Sequence, residues 1–248
     1  MSRAMAAMAA MAAWILFPTG SVGAGAGAHW SYHGKEGPEH WGELTEEYAA
    51  CAEGRNQSPI DLIADIDADL AALSLDYEQP GIIEEVDTGH SIQENARPGN
   101  YLTFLGRRFE LKQFHFHSPS EHRVGGKSFP MEVHLVHMNE AGELAVVGLL
   151  FDEGDQNPIL EKLPLFRAVR GGEASGEALD YNEIIPGRDR YFTYNGSLTT
   201  PPCSEGVTWV VIKEPVKASA EQIRLLHDVV GTDNNRPVQP HNSRLVLE

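Results

Sequence analysis

Leu111-Lys112-Gln113-Phe114-His115-Phe116-His117 and Met131-Glu132-Val133-His134-Leu135-Val136-His137-Met138 are the two stretches on which the fold turns. Side chains of a strand alternate between its faces. The first stretch therefore predicts Gln113, His115 and His117 on one face, with Phe114 and Phe116 on the other. The second puts Glu132, His134, Val136 and Met138 together and Val133, Leu135 and His137 opposite. If the two strands are neighbours in one sheet, His115, His117 and His134 converge. Three neutral imidazoles with a fourth position open are the donor set of a catalytic zinc, whereas a structural site closes with a fourth protein ligand. Gln113 and Glu132 each precede a ligand by two residues on the same face, where they can accept the second ring N–H of a histidine and fix its tautomer. His137 points away and reads as a core histidine.

Working outward, Asn100–Leu105, Arg107–His117, Met131–Met138, Glu143–Phe151 and Val207–Lys213 read as strands by alternation or β-branched content. Asn139-Glu140-Ala141-Gly142 reads as a hairpin turn between two of them. Helices are expected at Leu44–Ala52, Pro158–Arg170 and Ala220–Val230, the last opened by Ser219 with Gln222 at capping-box spacing. Short turns between successive strands favour a mainly β, α+β fold with an antiparallel sheet over a doubly wound one. No GxGxxG or GxxxxGK[ST] is present to mark a nucleotide site.

The 248 residues carry 19 Lys+Arg against 36 Asp+Glu, a formal charge of −17. That excess argues against nucleic acid and anionic membrane surfaces as partners, since both would repel it. At the start, Arg3, the apolar run Ala4–Phe17, Pro18 and the small-residue exit Ala26-Gly27-Ala28 have the parts of a secretory signal peptide. The run is too short for a membrane span, which takes about 20 residues. The expected division is thus a removable leader over residues 1–28 and a single domain over 29–248, periplasmic or secreted. Export bears on the two cysteines, Cys51 and Cys203, because oxidising compartments favour closing such a pair. Two free buried thiols are the alternative.

Eight segments in order carry a family resemblance: His29-Trp30-Ser31-Tyr32, Gly37-Pro38-Glu39-His40-Trp41, Gln57-Ser58-Pro59-Ile60, Gly89-His90-Ser91, Gln113-Phe114-His115-Phe116-His117, Ser120-Glu121-His122, Glu132-Val133-His134-Leu135-Val136-His137 and Ser197-Leu198-Thr199-Thr200-Pro201-Pro202. Together they resemble an α-class carbonic anhydrase of the exported bacterial type, from His29 to about Arg244. The resemblance implies a central twisted, mostly antiparallel sheet of about ten strands, a few peripheral short helices, and one Zn2+ at the base of a conical cleft. It implies reversible hydration of carbon dioxide to bicarbonate and a proton, by attack of a zinc-held hydroxide. The Cys51–Cys203 pairing and a cis bond between Pro201 and Pro202 also follow from it.

Residue roles come over position by position. Thr199 would orient the hydroxide and Glu121 would orient Thr199, since an ionised carboxylate only accepts and forces the hydroxyl to donate toward it. Val136 lies on the His134 face, and by resemblance Val146, Leu198, Thr200 and Trp209 complete an apolar pocket for carbon dioxide. His90 matches the proton-shuttle position, a task suited to a side chain titrating near 6.5. Tyr32 matches the cleft's water network, whereas Thr88 and Gln93 stand where relatives commonly show Asn. Sulfonamides and small anions are the expected inhibitors, and a homodimer is left open. Two rivals are weighed. One is a carbonic anhydrase-like binding protein without catalysis, although such proteins usually lose a ligand histidine and none is lost here. The other is a cupin-type metalloenzyme, because His115-x-His117-x3-Glu121 overlaps its first motif, but the flanking glycines are out of place.

Overall fold

The computed structural model describes residues 28–169, 179–185 and 187–248. The expected leader, apart from Ala28, lies outside them. Among the described residues no helix is long and apolar enough to cross a membrane. The described residues form twelve strands: β1 (Asp61–Leu62), β2 (Ser74–Tyr77), β3 (Ile82–Asp87), β4 (Ile92–Ala96), β5 (Asn100–Phe104), β6 (Arg107–His117), β7 (Arg123–Val124), β8 (Met131–Met138), β9 (Leu144–Glu153), β10 (Tyr191–Ser197), β11 (Glu205–Ile212) and β12 (Val216–Ala218). Ten of them make one sheet, whose main path is β10-β11-β9-β8-β6-β4-β3. β5 also pairs with β6 and carries β2 beyond it, and β12 joins β9. Pairing is antiparallel except at β9, which takes both β11 and β12 in parallel. β1 and β7 form a separate parallel pair.

β6 and β8 lie side by side, with His115 directly opposite His134 and His117 opposite Glu132. Strict alternation along β6 would put Phe109 and Leu111 on the histidine face. Instead they join Phe114 and Phe116 in the main core behind the sheet. A register shift against β8 between Leu111 and Gln113 accounts for this. One extra residue reverses the phase of the strand, so an aromatic and aliphatic run can precede the His-x-His without spoiling either face. A second apolar cluster, including Val136, Val146 and Trp209, covers the opposite side. The central strand β8 is therefore buried on both faces.

The helices depart from expectation where backbone chemistry intervenes. Leu44–Ala52 is not one helix but separate turns: α1 (Trp41–Leu44), a 3-10 turn Glu46–Tyr48 and α2 (Ala50–Glu53). The break is at Thr45, a β-branched residue held extended at φ −160°, ψ 156°. It lets Trp41, Tyr48 and Cys51 all bury in one aromatic cluster with Trp30, Tyr32 and Cys203. Pro158–Arg170 likewise splits into a 3-10 turn Leu160–Lys162 and α3 (Pro164–Val169), with Arg170 outside the described residues. A residue before proline avoids the helical region, and Leu163 is extended at ψ 142°. α4 (Ala220–Val230) matches its expected span, with both capping-box bonds between Ser219 and Gln222 and a left-handed Gly231 closing it.

Cys51 and Cys203 form a disulfide across 152 positions. It fixes the turn Thr200–Cys203, where the Cys203 N–H donates to the Thr200 carbonyl. Closing so long a loop restricts the unfolded chain by about 5 kcal/mol in the entropy model. The double substitution Cys51→Ser with Cys203→Ser should therefore lower the denaturant midpoint and steepen the slope, because the released unfolded chain exposes more surface, a loss of about 2–5 kcal/mol in equilibrium unfolding.

Candidate metal centre

The sheet registers lay the site out in rows. Gln93, His115, His134, Gly148 and Val211 form one row across β4, β6, β8, β9 and β11; Gln113, Val136, Val146 and Trp209 form the next across β6, β8, β9 and β11. The three histidine rings stand 4.5–5.4 Å apart between centroids. One ring nitrogen from each lies within 4.8 Å of the others.

Each ring's second nitrogen is held by a neighbour. His115 Nδ1 donates to Gln113 Oε1 at 2.8 Å, and His117 Nδ1 to the Asn234 carbonyl at 2.7 Å. His134 Nε2 donates to Glu132 Oε1 at 2.8 Å. The lone pairs left over are therefore Nε2 of His115, Nε2 of His117 and Nδ1 of His134. Burial, then repulsion from His117 and His134, holds His115 well below the usual histidine range. Burial also lowers His117, against the attraction of Glu121. For His134 burial opposes the charge, but Glu132 outweighs it and raises the ring.

Glu132 is the anchor of this set. Its Oε2 accepts from the backbone N–H groups of Glu121 and His122, and its Oε1 from His122 Nδ1 and His134 Nε2. Burial alone would raise its carboxyl, yet His122 and His134 hold it well below the usual range. No room is left beside it: a Cβ at Gly148 would come 3.1 Å from Oε1. His122 Nε2 in turn accepts from the Tyr194 hydroxyl at 2.6 Å, and Tyr194 from Ser58 Oγ at 2.9 Å.

His122 belongs to the Ser120-Glu121-His122 motif without a role that the motif assigns, and Tyr194, Asn234 and Arg236 lie outside the sequence motifs. Asn234 and Arg236 lie in an irregular segment with no periodic signal. The Ser-Glu-His triplet was the one cue available for His122.

Glu121 is buried, with Oε1 accepting from the Arg236 N–H at 2.8 Å. Its Oε2 has no hydrogen-bond partner among the described residues and faces the ligands, 3.5 Å from His117 Nε2 and 3.8 Å from His134 Nδ1. Thr199 is buried and Thr200 half-buried on the loop between β10 and β11, just before the cis Pro201–Pro202 bond. Val136, Val146 and Trp209 pack in one cluster with Leu198 against it. The Trp209 ring stands 4.8 Å from that of His134.

His90 sits at the tip of the β3–β4 hairpin, half-buried, its ring laid on Trp30 with centroids 3.8 Å apart. Burial, then His29, lowers its pKa. Tyr32 packs edge-on to Trp30 and Trp41 in the same cluster, and burial raises its phenol well above the usual range. The Thr88 hydroxyl is engaged in the hairpin turn, donating to the Ser91 carbonyl and accepting from the Ser91 N–H. Gln93 stands beside His115 and donates to Asn95 Oδ1 at 2.8 Å. His137 lies on the other face of β8, bonded to the Tyr77 hydroxyl at 2.6 Å and lowered to about 4 by burial.

The donor set fits a metal ion. His117 Nε2 and Glu121 Oε2 are buried polar atoms without hydrogen-bond partners among the described residues. Burying such atoms bare is costly, and a cation held by the three imidazoles would offset that cost. Three nitrogen donors with their tautomers fixed suit zinc.

A family model described as "Eukaryotic-type carbonic anhydrase" matches residues 36–248. A carbonic anhydrase of Nostoc sp. is 43% identical over 229 residues, covering 89% of this chain and 86% of the relative. One from Klebsiella pneumoniae is 43% identical over 225 residues, covering 89% and 91%. Among solved structures, the α-carbonic anhydrase of Thermovibrio ammonificans in complex with the inhibitor sulfanilamide superposes with a TM-score of 0.82 at 45% identity, over 90% of this chain and 100% of that one.

Glu132→Gln tests the anchor. It removes the charge and leaves the amide one acceptor where the carboxylate meets four donors. Zinc affinity, read by competition with a chromophoric chelator, should fall by roughly 10–100-fold. An unchanged affinity would mean that Glu132 supports the fold and not the ligands.

Proposed function

The chain belongs to the α-carbonic anhydrase family and is an enzyme of carbon dioxide hydration, and from that premise we propose that it works through zinc held by His115, His117 and His134. When bound, zinc supplies a Lewis acid that makes hydroxide available near neutral pH, the behaviour for which carbonic anhydrase is the type case. The observation that carries the reading is the set of three ring nitrogens left free by their neighbours' hydrogen bonds, next to an apolar wall.

The chain's own residues do the rest. Gln113, Glu132 and the Asn234 carbonyl hold the rings in the tautomers that present those nitrogens. Glu121, anchored through Oε1, has Oε2 free to accept the Thr199 hydroxyl proton. That leaves the Thr199 oxygen to accept from the attacking hydroxide and aim its lone pair at carbon. Val136, Val146, Leu198 and Trp209 bind carbon dioxide without polar competition, with Thr200 at the pocket's edge. His90 takes up the proton released by each hydration and passes it to buffer; Tyr32 and Gln93 border the water path. The inhibitor bound by the Thermovibrio relative points to sulfonamides as inhibitors here. The N-terminal leader and the disulfide together support an exported, periplasmic or secreted enzyme.

Stopped-flow hydration of carbon dioxide, measured before and after metal removal, tests the reading. The rate should vanish with the metal and return with zinc; a folded, zinc-loaded protein without hydration would instead be a binding protein. His90→Ala should slow turnover in weak buffer and leave it closer to wild type in strong buffer. Imidazole should restore it, and a rate indifferent to buffer would place the shuttle elsewhere.

A further inference from the structure

The back of the sheet holds a group that the chemistry above does not use. Glu94, on β4, is fully buried, and among the described residues neither of its carboxyl oxygens has a hydrogen-bond partner. Its side chain is on the core face, between Ile92 and Ala96, while Gln93 and Asn95 take the metal-site face. On one side its strand partner is Phe114 of β6, which offers no charge. On the other it is Glu85 of β3, directly opposite. Directly opposed side chains of an antiparallel pair stand within about 5 Å at Cβ, and like charges there repel. Glu85 is itself engaged: its Oε2 accepts the Leu165 N–H, from the first turn of α3, at 2.8 Å. Among the described residues the further titratable neighbour is Tyr181, whose hydroxyl donates to the Gly81 carbonyl at the foot of β3. Arg97, at the end of β4, acts on Tyr181.

Glu85 is exposed on its edge strand and can keep its charge in water, so the cost of ionisation falls on the buried Glu94, and one proton held there removes it. We propose that Glu94 and Glu85 share a single proton across β3 and β4, and that this proton is a conformational switch for the hairpin whose tip carries His90. With the proton present, the Glu94 hydroxyl donates to Glu85, and Glu85 still accepts from α3, so strand pair and helix are clamped together. With it lost, a buried charge faces another charge and the hairpin loosens from the back core. Burial, then the neighbouring Glu85 carboxylate, pushes Glu94 from the usual 4.5 up to about 9. The folded value lies above the unfolded one. The stabilisation is therefore complete below about pH 4.5 and is lost as pH rises through about 9.

The test needs no activity assay, so its failure and a failure of the zinc reading are distinguishable. Denaturant unfolding of the zinc-loaded protein is compared with Glu94→Gln, whose amide donates to Glu85 at every pH, and with Glu94→Val, which removes both charge and hydrogen bond. Relative to either variant, the wild-type unfolding constant should rise about tenfold per pH unit between pH 5 and 9 and level off above. Deuterium uptake in residues 82–96 should rise over pH 7–9.5 in wild type more than in Glu94→Gln, with β8 and β9 alike in both. A wild-type pH profile parallel to those of both variants would overturn the proposal. So would an uptake difference spread evenly over the sheet.

Discussion

The pairing of His115 with His134 across β6 and β8 is the constraint to which the other parts of the site answer. It puts two ligands of the proposed metal centre on adjacent strands at one level and brings His117 opposite Glu132, one step along. A slip of one residue would turn every one of these side chains into the back core. The register is protected because both faces of β8 are buried and the Leu111–Gln113 bulge sets the phase of β6. Hydrogen bonds then convert position into chemistry. Glu132, fixed by four donors, holds two histidines and ties them to the backbone at Glu121 and His122.

The polar network around the centre comes from remote parts of the chain. Asn234 contributes its carbonyl to His117 and its side-chain amide to the Phe116 and His90 carbonyls. Arg236, fully buried, donates its N–H to Glu121 and its guanidinium to Gln57, Ser58 and the Cys51 carbonyl. Through Arg236 the carboxylate beside the proposed metal is linked to the segment that the disulfide anchors. A charge this deep is tolerable only when most of its donors are met.

The ligand face was legible in the sequence because His115, His117 and His134 sit in strands with unbroken local alternation, and because their Gln and Glu neighbours share the same parity. Phe109 and Leu111 were not, since a bulge is set by pairing with β8 and leaves no mark in a single strand. The helix ending before Pro164 was legible in principle: proline's effect on Leu163 is local. The break at Thr45 was not, because it answers to the burial of Trp41, Tyr48 and Cys51 in a shared cluster. Roles such as those proposed for Thr199 and His90 have no local signature and came from likeness to a family. Glu94 reads as an ordinary polar residue of an exposed hairpin, and its burial emerges only when β6, α3 and the Tyr181 turn close over it.

The parallel edge of β9 bears on how the molecule assembles. β8 follows β6 after a connection that carries only the short β7, and β9 follows β8 through the tight Asn139–Glu143 turn, so the segment holding all three histidines pairs over modest sequence separations. β11 and β12 reach β9 only after a chain excursion beginning at Glu153, and such non-local pairing must absorb its ordering entropy before any contact rewards it. The strands bearing the histidines are thus the kinetically cheap part of the fold. The loop bearing Thr199, borne between the late-pairing β10 and β11, belongs to the expensive part.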